Sequence, residues 1–317
     1  MNKSRALPSH LALLLLLLAG GCVAPAGQGA HILLVGPDQA YARPSDAARA
    51  AQTGDIIRIS PGAYTDCAVW KSDGLVIEAT GDGATITGAV CGDKGLFVVQ
   101  GNNVTIRNLS FNGARATSHN GAGIRAEGAG LTVEQSRFLD DENGILAGDN
   151  VPSAIVIRNS LFRGNGNCIA ACAHGIYVGH IALLRIENSR FEAQHVGHHI
   201  KSRAARTEIV NNEIQDGPTG SASYLVDLPN GGSAVISGNQ FEKGPLSQNK
   251  AAAIVIGAEQ NKGLNPAGEI TIQDNSLAND TGAPTAFVQS YIDASVTLQN
   301  NRFSGAVTPL IHATLPR

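Results

Sequence analysis

One short phrase recurs along this chain: VTIRNLSF at 104–111, LTVEQSRF at 131–138, IVIRNSLF at 155–162, LRIENSRF at 184–191, TEIVNNEI at 207–214, AVISGNQF at 234–241, ITIQDNSL at 270–277 and VTLQNNRF at 296–303. Its closing apolar residues, Phe111, Phe138, Phe162, Phe191, Ile214, Phe241, Leu277 and Phe303, are spaced by 27, 24, 29, 23, 27, 36 and 26 residues. Each copy alternates apolar and polar side chains as a strand does. It then passes a polar, Asn-rich corner and returns an apolar residue to a core. A unit of this size cannot bury its apolar face alone, so the copies must stack. The expectation is an all-β, single-domain solenoid of about ten coils, with asparagines aligned in a ladder. Leucine-rich repeats have similar periods, but they need regular leucines where these phrases carry Val, Ile and Asn.

Between the phrases a second strand recurs as GIRAEG, GILAGD, GIYVGH, HIKSRA, LVDLPN, AIVIGA and AFVQSY. Taking Ile124, Ile145, Ile176, Ile200, Val226, Ile254 and Phe287 as inward anchors, each lies 14 to 17 residues before the next landmark, except Ile254 at 23. The exception locates an insertion at 257–268, expected as a polar loop standing off the solenoid. Strand alternation then turns outward Arg125, Leu146, Tyr177, Lys201, Asp227 and Val255 just after the anchors. It does the same for Gly123, Gly144, Gly175, His199 and Leu225 just before them, and for Arg203 further on.

In a chain only 15% charged and 4% aromatic, the stretch 174–203 concentrates five of nine histidines with Tyr177, Lys201 and Arg203. Tyr177, His199, Lys201, Arg203 and Asp227 are expected to share one face over three coils, beside a hollow left by flanking glycines. Cations beside a hollow suit an anionic sugar. Removing the proton next to a uronate carboxylate needs a positive group for the enolate and a base with a pKa near neutrality. Lys201, depressed by Arg203 and His199, is the expected base, with Tyr177 as the acid and His199 and Arg203 completing the catalytic set. His174, His198, Asp227, Arg125, Tyr224 and Asn230 are the expected substrate-binding residues. The competing reading is structural: Lys201 and Asp227 form a cross-strand ion pair, and histidines satisfy corner backbone groups. A glycosidase would need two facing carboxylates. Asp227 has no evident partner, and Asp140, Asp141 and Glu142 lie in a corner two coils earlier.

Before the repeats, Lys3 and Arg5 precede an apolar run from Leu11 to Leu18 and the small residues Ala19, Gly20 and Gly21, the pattern of a secretory signal over 1–21. Removing it leaves 21 basic residues of the 23 against 26 acidic ones, and no basic stripe that would suit nucleic acid. Beyond Cys22 stand Cys67, Cys91, Cys168 and Cys172, an even set that an oxidising compartment would pair. The 24-residue spacing of Cys67 and Cys91 is one coil, so they are expected to bridge adjacent coils, and Cys168 with Cys172 to close a small loop before His174. Zinc is disfavoured by the lack of two close CxxC pairs. Residues 22–40 are small and polar, an expected tether, and 41–317 the solenoid domain. Nearly 300 residues strain a single compact core but not a solenoid.

Three stretches carry resemblances. Pro44 and Ser45 open a short Ala-rich helix over 45–51, followed by Gly54-Asp55 and IIRISPGAYTD. This succession resembles the opening of the right-handed parallel β-helix superfamily that contains pectin lyases, in which the helix covers the open end of the first coil. The small residues before Cys22 resemble a bacterial lipoprotein signal. That resemblance implies lipid on Cys22, a membrane anchor and a periplasm-facing envelope location; an ordinary cleaved signal is the alternative. HIKSRAARTEIVNNEI resembles the lysine-bearing coil of β-helical lyases that cut alginate and dermatan. It carries over Lys201 only, since that family has an arginine on the next coil where this chain has Asp227. The resemblance implies lyase or C5-epimerase chemistry on an acidic polysaccharide by a monomer. No cofactor is required by the residues; the family's calcium ligands find no match, and calcium stays an open candidate. The other class of function is a non-catalytic carbohydrate-binding or structural lipoprotein.

Overall fold

The computed structural model describes residues 30–169, 171–263, 265–293 and 295–314, together with residue 1. The signal segment, Cys22 and most of the expected tether lie outside the described residues. The remainder is a parallel β-helix whose three sheets have eleven, ten and ten strands, so it makes eleven turns. In each turn the recurring phrase supplies a strand of the eleven-stranded sheet and then a short strand of a second sheet. The GIYVGH-type segment supplies the third. All landmark residues from Phe111 to Phe303 pair in register through the second sheet. The one α-helix among the described residues, Pro44–Ala50, packs fully buried Ala47 onto the first turns. It shields an apolar cross-section that would otherwise face water.

The phrase works because its corner has two positions with different demands. The first needs a left-handed backbone: Asn108, Gln135, Asn159, Asn188, Asn211, Asp274 and Asn300 have φ between 49° and 57°, and Gly238 has 70°. Asn, Asp and Gly adopt this region at least cost. The second position caps the backbone of the coil before it. Ser136 N–H donates to Ser160 Oγ (3.2 Å), Ser160 N–H to Ser189 Oγ (3.1 Å) and Ser189 N–H to Asn212 Oδ1 (2.8 Å). Asn239, Asn275 and Asn301 continue the series at 2.9, 2.9 and 3.1 Å. Two residues after it, the landmark side chains stack: Phe111, Phe138, Phe162 and Phe191 have ring centroids 5.2, 4.6 and 4.6 Å apart. The cysteines bridge as expected, Cys67 to Cys91 and Cys168 to Cys172.

Three expectations are corrected. The tether ends early, because Ile32–Val35 already pairs with Ile56–Ile59 and buries Leu33 and Val35. The last inward anchor in register is Val288, which pairs with Ile254, rather than Phe287. The residues just before the anchors do not face outward. A Cβ on Gly123 would lie 2.9 Å from both Phe111 and Phe138, one on Gly144 2.8 Å from the Phe162 ring, and Leu225 is fully buried. Alternation holds within a strand, but each third-sheet strand begins on the inside of a corner, so two successive side chains enter the core.

Candidate functional site

The strands Ile176–Val178, His198–Ser202 and Tyr224–Leu228 lie side by side in the third sheet, placing Tyr177, Lys201 and Asp227 in one outward row. Equivalent positions on neighbouring strands are about 4.8 Å apart, so their side chains meet. Lys201 Nζ donates to Asp227 Oδ2 at 2.7 Å. Arg203, beyond the end of the same strand, donates from Nε to Tyr177 Oη at 3.0 Å and from Nη1 to Asn230 Oδ1. Tyr177, Lys201, Arg203, Asp227 and Asn230 thus converge.

The insertion completes this cluster instead of standing off from it. Glu259 accepts from Lys201 Nζ through Oε1 at 2.7 Å, and through Oε2 from Arg203 Nη2 at 2.8 Å and Lys262 Nζ at 2.7 Å. The loop is tied down by Asn265, whose Nδ2 donates to the carbonyls of Arg203, Ala204 and Gly231 at 3.2, 3.0 and 3.3 Å. Its length anomaly is visible in the sequence. Nothing in the sequence says which way a polar loop folds. Beyond it, a cavity of about 370 Å³ is lined by residues that include Asn230, Gln260, Asn265, Tyr291 and Asp293.

The charge state of Lys201 is the reverse of the expected one. The residue is only 8% exposed. Burial alone would lower its pKa, but Asp227 and Glu259 outweigh burial and hold the ammonium above its usual range. Burial likewise opposes ionisation of Glu259, yet Lys201, Lys262 and Arg203 hold it well below the usual carboxylate range. Burial pushes Asp227 upward against the pull of Lys201, and its Oδ1 is buried without a partner. With Asp227 and Glu259 in place, Lys201 is thus held as a paired cation.

His199 leaves the site altogether. It is 1% exposed, and its Nε2 lies 2.9 Å from Asp216 Oδ1 inside the solenoid. This is the inward corner position described above. His174 and His198 follow the structural reading. His174 Nδ1 accepts the His198 N–H at 3.0 Å, and His198 Nδ1 accepts the Tyr224 N–H at 3.2 Å. The rings of His174, His198 and Tyr224 stack at 4.8 and 5.1 Å. A backbone N–H can only donate, so both Nδ1 atoms are unprotonated and the neutral rings carry hydrogen on Nε2. Burial, aided by Lys201 and Arg203, pushes His174 down to about 3; burial and the neighbouring His174 take His198 well below its usual value. His198 Nε2 approaches Asp227 at 3.4 Å, so this ladder forms one wall of the cluster.

Arg125 is not part of the site. It pairs with Leu146, which separates it from Tyr177, so it stands two strands away. The expected hollow is also smaller. Gly144 faces inward, and a Cβ on Gly179 would strike the Gly148 backbone and Asp149; of the glycines flanking Tyr177, Gly148 alone stands before open space. Among the described residues, no three His, Cys, Asp or Glu side chains are grouped to hold a metal ion.

The site therefore sits on the outward face of a β-solenoid, one lysine and one arginine held between carboxylates beside a tyrosine. Residues 166–314 match the family model of the right handed beta helix region. The protein is a right-handed β-solenoid with structural neighbours of pectate and alginate lyase type. An alginate lyase from Paenibacillus sp. str. FPU-7 superposes with a TM-score of 0.60 and 19% identity, covering 84% of this chain and 96% of its own. The pectate lyase Pel9A gives 0.52 and 16%, covering 86% and 78%. Escherichia coli YbhC gives 0.52 and 12%, covering 90% and 88%. At these identities the likeness is one of fold. No curated protein matches the chain.

Proposed function

We propose that this protein acts on an acidic polysaccharide at the face running from Tyr177 to Asp227, by β-elimination or C5 epimerisation of a uronate. The observation that carries this is the Tyr177 hydroxyl 3.0 Å from Arg203 Nε, with Lys201 beside it on the strand that Arg203 directly follows. Two cations that stay charged suit the carboxylate of a uronate and the negative charge that spreads onto it when C5 loses its proton. The proton carrier has to be another group. His174 and His198 present Nε2–H, leaving Tyr177, whose oxygen faces a guanidinium where charge develops. In elimination the C5 proton leaves, the C4–O bond breaks, a C4=C5 double bond forms, and the departing oxygen is protonated. In epimerisation Tyr177 keeps the C5 proton and a different proton, drawn from water, adds to C5 on the opposite face. The solved alginate and pectate lyases of the same fold support this substrate class. The two disulfides fit an exported, envelope-located protein anchored through Cys22 or secreted.

The test is a panel of acidic polysaccharides followed by near-ultraviolet absorbance, which reports the unsaturated uronate, and by solvent-deuterium uptake at C5. Tyr177→Phe is the discriminating variant and should lower turnover by about 10²- to 10⁴-fold while binding persists. Substituting Lys201 is less informative, because it leaves Asp227 without its cation and perturbs the fold. A second reading, a non-catalytic polysaccharide-binding module, is favoured by the mutual pairing of Lys201, Arg203, Asp227 and Glu259. Saturable binding with neither absorbance nor exchange would establish it in place of the first.

A further inference from the structure

Glu259 meets Lys201 with one oxygen and Arg203 with the other, at 2.7 and 2.8 Å. That is how a uronate carboxylate would be held under the reading just given, on which this inference rests. Both cations are nearly enclosed, and Glu259 reaches them from a segment held by hydrogen bonds rather than by apolar packing. No described apolar side chain of 258–268 is buried. The segment is attached by Glu259 N–H to Pro229 O (2.9 Å), Asn265 N–H to Asn230 O (3.0 Å) and a few side-chain amide bonds. Segments with so few buried contacts open at low cost relative to the body they cover.

We propose that Glu259 is a specificity-determining residue that occupies the substrate-carboxylate position, and that an acidic polysaccharide binds by exchanging its own carboxylate for that of Glu259 as the 257–268 insertion lifts. The exchange conserves charge: one carboxylate leaves the Lys201 and Arg203 pair and another arrives. A neutral sugar offers only hydroxyls, so displacing Glu259 would leave two enclosed cations without a counter-ion. Lys262, 64% exposed in its side chain and bonded to the same carboxylate, travels with the loop and accompanies Glu259 into solvent.

The experiment is calorimetric titration of tetragalacturonate, tetramannuronate and fully methyl-esterified tetragalacturonate into Tyr177→Phe protein, with and without Glu259→Gln. Loss of the resident carboxylate should tighten an acidic tetramer by about tenfold, within the usual range of coupling between sites, and leave the ester unchanged. Equal or weaker acidic binding in the Glu259→Gln protein overturns the inference while the proposed function stands. Absence of acidic binding in both proteins overturns the proposed function and the inference with it. Amide exchange on the wild-type protein gives a readout free of substitution. A saturating acidic tetramer should speed exchange across 257–268; slower exchange would mean that the loop closes over the ligand, and would overturn displacement.

Discussion

His174 and His198 show how one side chain can serve the backbone and the electrostatics together. Each ring accepts the N–H of the next strand through Nδ1, and each is kept neutral by burial. A buried neutral histidine has a folded pKa below its unfolded one. Its contribution to stability is complete above about 6.5 and is lost as the pH falls towards about 3. For His174 the full span corresponds to on the order of 5 kcal/mol. His174→Asn keeps an acceptor near the Nδ1 position and removes the titration. Thermal melts from pH 7 to pH 4 should show a steeper fall in Tm for wild type than for this variant; parallel curves would mean that His174 does not report the acid sensitivity. Sequence could propose this role for the histidines of an Asn-rich repeat. It could not separate His199, adjacent in sequence but turned to Asp216 in the interior, because the corner breaks alternation one residue before the anchor.

At the scale of the element, the ladder is legible beforehand in its Asn half, Asn212 to Asn301, while serines fill the same position in the earlier coils. Its residues recur two positions before each landmark, and each caps its neighbour's backbone. Asn239 is fully enclosed in this series. Its Oδ1 accepts from Asn212 N–H and Nδ2 (2.9 and 3.0 Å), and its Nδ2 donates to Ile209 O and Asn275 Oδ1 (2.8 and 2.9 Å). Asn239→Ala should strand several buried groups, at about 1 to 3 kcal/mol each. Asn301, partly exposed on the last coil, serves only Asn275 and Ile272. The Asn239→Ala melting temperature should therefore fall well below that of Asn301→Ala; equal losses would contradict a ladder whose interior rungs are the costly ones. The insertion is the opposite case. Its place follows from one over-long coil, but its destination depends on Glu259 finding two cations, Lys201 on a strand and Arg203 just past its end, 58 and 56 residues earlier.

For the whole molecule, stability should be graded along the axis, because in all three sheets each turn pairs only with its neighbours. The first turns are covered by Pro44–Ala50 and stapled by Cys67–Cys91. At the other end Val296, Leu298, Phe303, Val307 and Leu310 are only partly buried against the core. Amide exchange should be fastest in Val296–Gln299, Arg302–Ser304 and Val307–His312 and slowest in the central turns; uniform protection would show that the solenoid opens as one unit instead. The sequence alone determined the period, the parallel stacking, the capping helix, the disulfide pairs and the outward row of Tyr177, Lys201 and Asp227. All but the helix follow from spacing and strand periodicity, which are local and repeat from coil to coil; the helix follows from its Pro44 and Ser45 start signals and alanines, and its capping place from the resemblance of that stretch to the opening of the β-helix superfamily. Tertiary structure alone decided that His199 turns inward, that Arg125 stands apart, that Lys201 is held as a paired cation, and that Glu259 joins the site. A charge state and a loop's resting place depend on groups far apart in the chain, and on how much water is left between them.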